Sequence, residues 1–336
     1  MKKIVNEIPA IVSEALEGMV AAFPEYVRRV EGTQVLARAS AKEAGRVGLV
    51  SGGGSGHEPA HGGYVGFGML DAAVAGEVFT SPTPDQFYEG IKAANVGGGV
   101  LLVVKNYTGD VMNFDLAREM AEAEGIPTRT VITNDDVAVE DSLYTSGRRG
   151  IAGTVFVHKI AGARAEEGAS LDEVYAVAQK VVQNVRSMGL ATYPCTVPAA
   201  GKPTFTLGED EIEMGIGIHG EPGTHRQQLR PADELARDLL GHIEGDLSLE
   251  RGERIAVMVN GMGATPLIEL ALWARAASLW SAERGYDLRR MWMGEFMTSL
   301  EMAGGSLTVL RLDDEMERLL EAPADTPALR QGVMHD

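Results

Sequence analysis

From Val47 onward the chain alternates short apolar runs with longer stretches whose apolar residues recur at helical spacing, and this alternation limits the folds open to it. The runs at 47–51, 72–78, 99–105 and 128–133 read as strands. The stretches 114–123, 151–164 and 171–187 read as amphipathic helices, with charges separating the apolar positions. Strand and helix in turn imply a mainly parallel sheet with helices on both faces, since parallel neighbours need a crossover long enough to hold a helix. Ligands of such sheets bind beyond the carboxyl ends of strands, so residues just past each apolar run are the ones to inspect.

A chain of 336 residues exceeds what one core comfortably serves, and two α/β domains are expected, 1–188 and 189–336. The texture changes after Ser187: YPCTVPAAGKP at 193–203 carries three prolines and little periodicity, which marks a junction. Beyond it EIEMGIGIHG alternates from Glu211, and RIAVMVNGMGATP begins at Arg254. A helix-like stretch at 266–283 and the strand-like SLTVLRL at 306–312 complete a smaller second domain. There is no internal repeat.

Acids outnumber Lys and Arg 48 to 30, a net charge of −18 that repels nucleic-acid phosphates and anionic membranes, so neither is an expected partner. Cys195 is the single cysteine and has no internal disulfide partner. MKKIVNEIP lacks the apolar core of a signal peptide, and no run approaches the roughly 18 apolar residues of a membrane span. A cytoplasmic protein is expected.

Three segments carry the chemistry. SGGGSGHEP at 51–59 puts His57 beyond a glycine run that reads as a loop, which makes the imidazole exposed and held on bare backbone. VLLVVKNYTGD brings Lys105 and Asp110 past the apolar run at 100–104, and MGIGIHGEPG brings His219 past an alternating one. Two imidazoles, a carboxylate and a cation at strand ends suggest one pocket.

Other readings compete. HEPAH at 57–61 matches the zincin spacing, but Pro59 drives Glu58 out of the helical region, so His57 and His61 cannot share a helix face and His61 is a structural neighbour. The glycine run lacks the Gly-Lys-Ser/Thr ending of a nucleotide P-loop, the dinucleotide register and the serine-hydrolase elbow. It could also be a tight turn with Pro59 opening a helix, Asp110 a helix N-cap, and Lys105 an ordinary strand-end cation.

Over nearly all its length the chain resembles the dihydroxyacetone kinase family, specifically its dihydroxyacetone-binding subunit. The resemblance rests on SGGGSGHEP, GEVFTSPTPDQ at 76–86, VKNYTGDVMNF at 104–114, DDVAVEDSLYTSGRRG at 135–150, CTVPAAGKPTFTL at 195–207 and GIGIHGEPG at 215–223. It implies that His219 binds the ketone covalently as a hemiaminal, and that His57 and Asp110 act on the hydroxyl. Lys105 and the glycine run, Gly54, Ser55 and Gly56, would hold the substrate. It further implies a homodimer, no metal in this chain, and ADP or ATP with Mg²⁺ on a separate helical kinase domain or subunit. The sequence ends at Asp336 without such a domain, which favours a partner rephosphorylated through the phosphoenolpyruvate:sugar phosphotransferase chain over one exchanging free ATP.

The chain departs from the pattern at Asn260-Gly261-Met262-Gly263, where members commonly read Asn-Asn-Leu-Gly, at Gly305, where an aromatic is frequent, and in a short segment between Gly223 and Arg254. A kinase subunit for another short ketose such as erythrulose, or a ketone-sensing paralogue acting in regulation, remain alternatives.

Overall fold

The computed structural model describes residues 2–333. Helix α1 (Ile11–Ala22) precedes the short strands β1 (Val27–Arg29) and β2 (Val35–Arg38). Then come β3 (Gly48–Ser55), β4 (Ala72–Val78), α2 (Pro84–Ala94), β5 (Val100–Lys105), α3 (Thr108–Ala123) and β6 (Thr128–Thr133). These six strands form a sheet in the order β1-β2-β4-β3-β5-β6. The last four in that order are parallel, and β1 and β2 join antiparallel at one edge. The chain leaves β3 for β4 on one side and then crosses to β5 on the other, so the crevice beyond the ends of β3 and β5 is the switch point of the sheet.

Helices α4 (Thr154–Glu166) and α5 (Leu171–Asn184) lead into the second sheet. It is built from β7 (Val185–Tyr193), β8 (Glu211–Met214), β9 (His225–Gln228), α6 (Ala232–Leu247), β10 (Arg254–Gly261), α7 (Leu267–Arg284), β11 (Asp287–Gly294), β12 (Ala303–Arg311) and α8 (Asp314–Glu321). Its order is β11-β10-β12-β7-β8-β9, parallel at β10/β11 and antiparallel elsewhere.

Successive strand residues face opposite sides, and the apolar runs read as continuous because both sides are covered. Val50, Leu102 and Val104 pack with Phe87, Ile91 and Phe114 of α2 and α3. Leu49, Leu101 and Val103 pack the other way, into a cluster with α4, α5, α8 and the β10 residues Ala256 and Met258. Ile255 and Val257 turn to α6 and α7. The layers are therefore helix, sheet, helix, sheet, helix, and the largest apolar cluster runs across both sheets. A boundary at 188/189 falls inside β7.

The stretch 151–164 proves buried all round rather than amphipathic, because α4 is the layer between the two sheets. The helix expected over 171–187 stops at Asn184, where Val185 begins pairing with Leu310 of β12, and this cross-strand ladder overrides the local spacing. The glycine run is not a loop: Gly52, Gly53 and Gly54 continue β3 and pair with Val74, Ala75 and Gly76 of β4. A Cβ on Gly54 would lie 2.6 Å from the Thr80 backbone nitrogen, so only a bare backbone lets the 79–80 segment close over the strand. The place of an aromatic at Gly305 is taken by Trp273, whose ring carbon lies 2.9 Å from where a Cβ would stand. No described helix is long and apolar enough to cross a membrane.

Candidate functional site

His57 follows β3 by one glycine turn and is fully buried, which corrects the expectation of an exposed imidazole. Its cover comes from both halves of the chain: the Leu300 and Thr298 amides, between β11 and β12, donate to the Gly56 and His57 carbonyls, and Phe79, just past β4, stacks on the ring at 5.2 Å. The Thr298 carbonyl lies 2.8 Å from His57 Nδ1, and a carbonyl can only accept, so Nδ1 carries the hydrogen. Burial first, then Lys105 and His219, hold this imidazole well below its ordinary pKa.

His219 arrives from the loop after β8, and its Nε2 stands 3.1 Å from His57 Nε2. Tyr107 and Phe79 meet its ring edge-on at 4.6 Å and 5.1 Å. On its other edge, Nδ1 lies 2.9 Å from Glu221 Oε1, and the His219 amide donates to Glu221 Oε2 at 2.9 Å. Burial pushes the Glu221 carboxyl up, but His219 and Arg149 outweigh it and bring the pKa down to about 2.

Lys105 ends β5 and is wholly buried, with Nζ 3.9 Å from Asp110 Oδ2 and no hydrogen-bond partner among the described residues. Burial lowers its pKa against the opposing pull of Asp110 and Glu221. Asp110 lies within the first turn of α3, whose N-cap is Tyr107. Bare backbone is needed here as well, for a Cβ on Gly53 would sit 3.0 Å from Lys105 Nζ and 3.2 Å from Asp110 Oδ2.

His219, Asp110 and Gly54 border one open cleft of about 970 Å³, with His57 and Lys105 immediately behind its wall. Ser55 and Gly56 do not border it. The Ser55 hydroxyl donates to the Gly76 carbonyl at 2.7 Å, the Gly56 amide points at Glu58, and both residues line a second, apolar cavity of about 510 Å³ beneath α1. Gly54 borders both spaces. His61 turns inward, its Nδ1 2.9 Å from His158 Nε2 and 3.3 Å from Ser51 Oγ, away from the His57–His219 pair.

Sequence reasoning passed over Glu221, Tyr107, Phe79 and Thr298. The first three lie inside the quoted motifs, and Glu221, two residues after the histidine and across a glycine, carried the clearest signal. Nothing in the sequence ties Thr298 to His57 across 241 residues.

A family model described as the Dak1 domain matches residues 17–328. The "PTS-dependent dihydroxyacetone kinase 1, dihydroxyacetone-binding subunit DhaK" of Listeria innocua is 55% identical over 98% of this chain and 100% of its own length. Among solved structures, a "Dihydroxyacetone kinase operon co-activator Dha-DhaQ" superposes with TM-score 0.90 at 34% identity, covering 97% of this chain and 99% of that one. The native dihydroxyacetone kinase of C. freundii superposes with TM-score 0.86 at 34% identity, covering 98% of this chain and 60% of that longer one. The chain belongs to the Dak1 family, among relatives that are dihydroxyacetone-binding subunits of dihydroxyacetone kinases.

Proposed function

We propose that this chain is the substrate-binding subunit of a dihydroxyacetone kinase, holding dihydroxyacetone on His219 as a hemiaminal while a partner subunit delivers the phosphoryl group. The observation that carries this reading is the meeting of two Nε2 atoms at 3.1 Å beside a cleft that also bears Asp110. The Thr298 carbonyl and the Glu221 carboxylate hold the ring hydrogens on Nδ1, which leaves the Nε2 lone pair of neutral His219 free to attack. As the His219 Nε2 lone pair bonds to the carbonyl carbon, the C=O π pair moves to oxygen, and that oxygen takes a proton from solvent in the open cleft. The His219 ring is left as a cation bonded to carbon. Glycerol lacks a carbonyl and cannot be held in this way.

The adduct keeps a free hydroxymethyl group. Asp110 accepts its proton as the hydroxyl oxygen bonds to phosphorus and the bond from phosphorus to the nucleotide's bridging oxygen breaks, giving the nucleoside diphosphate. Lys105 holds Asp110 in place. The adduct then collapses: the hydroxyl formed from the ketone oxygen gives its proton back to solvent, the bond from carbon to His219 Nε2 breaks, and dihydroxyacetone phosphate leaves. ADP or ATP and Mg²⁺ belong to a helical kinase subunit, as the name "dihydroxyacetone-binding subunit" of the Listeria relative supports, and "PTS-dependent" in that name supports a phosphotransferase chain as donor. A cytoplasmic homodimer of two α/β domains is the assembly this reading expects.

Ketone sensing without transfer is a second reading, supported by the likeness to the co-activator. The Lys105–Asp110 pair at the cleft favours transfer. The test is carbon NMR of the purified chain with dihydroxyacetone labelled at the carbonyl, followed by addition of a nucleotide-bearing helical subunit and its donor. The ketone signal should give way to a tetrahedral one, and phosphorylation should begin only with the partner. A persistent ketone signal, or robust ATP-dependent turnover by the chain alone, overturns the proposal.

A further inference from the structure

Glu221 is placed to do more than fill space beside His219. Its carboxylate accepts two hydrogen bonds from the same residue, from ring Nδ1 and from the backbone amide, both at 2.9 Å. The intervening Gly220 has φ of +79°, a left-handed turn that folds the carboxylate back onto the residue two positions earlier. Glu221 is itself buried, so water does not compete for these bonds. Behind it lies Arg149, also buried and anchored on Asp136 and on the Gly215 carbonyl. A Cβ on Gly217 would fall 2.0 Å from Glu221 Oε2 and 2.7 Å from Arg149 Nη1, so both side chains pack on the bare backbone of that glycine. The charged and titratable groups around the ring are thus His57 from the end of β3, Lys105 and Asp110 from β5 and α3, Tyr107 between them, and Arg149 with Asp136 beneath Glu221.

We propose that Glu221 is the positioning residue of the ketone site, fixing the Nδ1–H form of His219 so that Nε2 faces the cleft as nucleophile, and serving as counter-charge to the ring once it is bonded to carbon. The inference rests on the covalent reading given above and specifies what makes that histidine competent. An ionised carboxylate only accepts, so a hydrogen must lie on Nδ1. Attack through Nε2 leaves the ring cationic, and the charge is then met by a carboxylate already bonded to the other nitrogen, with no group needing to move. The arrangement parallels metal sites in which a carboxylate behind an imidazole sets its tautomer, orientation and basicity.

The test begins without substrate. Nitrogen NMR of the ¹⁵N-histidine-labelled chain should show His219 Nδ1 protonated, and a bare Nδ1 in the wild-type chain overturns the proposal without any variant. Glu221→Gln should lose that fixed pattern and weaken carbonyl-labelled dihydroxyacetone capture by about 100-fold, at the upper end of what removing such a supporting carboxylate does. Gly217→Ala, which displaces the carboxylate without removing its charge, should fall between the two. Glycerol, a ligand without a carbonyl, should bind the wild type and Glu221→Gln with equal affinity. Unchanged nitrogen shifts and capture within about threefold of wild type in Glu221→Gln would reduce Glu221 to a packing residue. Protonated Nδ1 together with no tetrahedral carbon signal would sink the covalent reading while leaving the tautomer assignment intact.

Discussion

His57 Nε2 and His219 Nε2 stand 3.1 Å apart, although the two residues lie 162 positions apart and hang from different sheets. Each ring is tethered on its far edge, one by the Thr298 carbonyl and the other by Glu221. Replacing His219 with Ala should abolish the tetrahedral carbon signal while leaving the melting temperature within a few degrees, since the ring borders open cleft. A surviving adduct would assign the nucleophile elsewhere.

Asp110→Asn preserves the shape of the side chain but cannot take a proton. Capture of the ketose should persist, and transfer in the reconstituted system should drop by about 10²–10⁴-fold, the usual contribution of a positioned general base. Turnover near that of the wild type would leave Asp110 as an ordinary first-turn residue of α3.

Gly54→Ala forces a methyl group against the backbone of Phe79 and Thr80, where the nearest atom is 2.6 Å away. The 79–80 segment must retreat and take Phe79 off the His57 ring, at a cost of about 1–3 kcal/mol typical of overpacking. Chemical denaturation measures the first effect and ketose capture the second. A variant as stable and as competent as wild type would mean that the segment yields freely.

Lys159, buried in α4, donates to the Leu319 carbonyl near the end of α8, and burial together with nearby Arg290 lowers its pKa to about 7. Between that value and the ordinary 10.5 the unfolded chain binds a proton that the folded chain has released, so this group makes stability rise with pH across the window. Its share is at most about 1.4 kcal/mol per pH unit. Lys159→Met should remove that slope in denaturation curves taken from pH 7 upward, and an unaltered slope would show that Lys159 keeps its proton there.

Much of this was legible because strands buried on both faces leave apolar runs, and β5 and the start of β3 announce themselves in that way. His219, Asp110 and Lys105 were visible as polar residues terminating such runs. β7 was not, since Val185 continues a helical spacing and only pairing with β12 makes it a strand. The glycine run misled for a related reason: a strand without side chains has no periodicity to read, and its partner β4 reveals it only in three dimensions. Burial of His57 depends on Thr298 and Leu300, a contact between segments that share no local pattern.

Because β3 lacks side chains at Gly52, Gly53 and Gly54, the partition between the cleft and the apolar space beneath α1 is a single peptide thick at Gly54. A guest wedged under α1 and a ketose beside His219 would press on opposite sides of the same membrane-thin wall of backbone. Leu16 and Met19 line the space under α1, so a guest held there meets the ketose cleft only across the backbone of one strand.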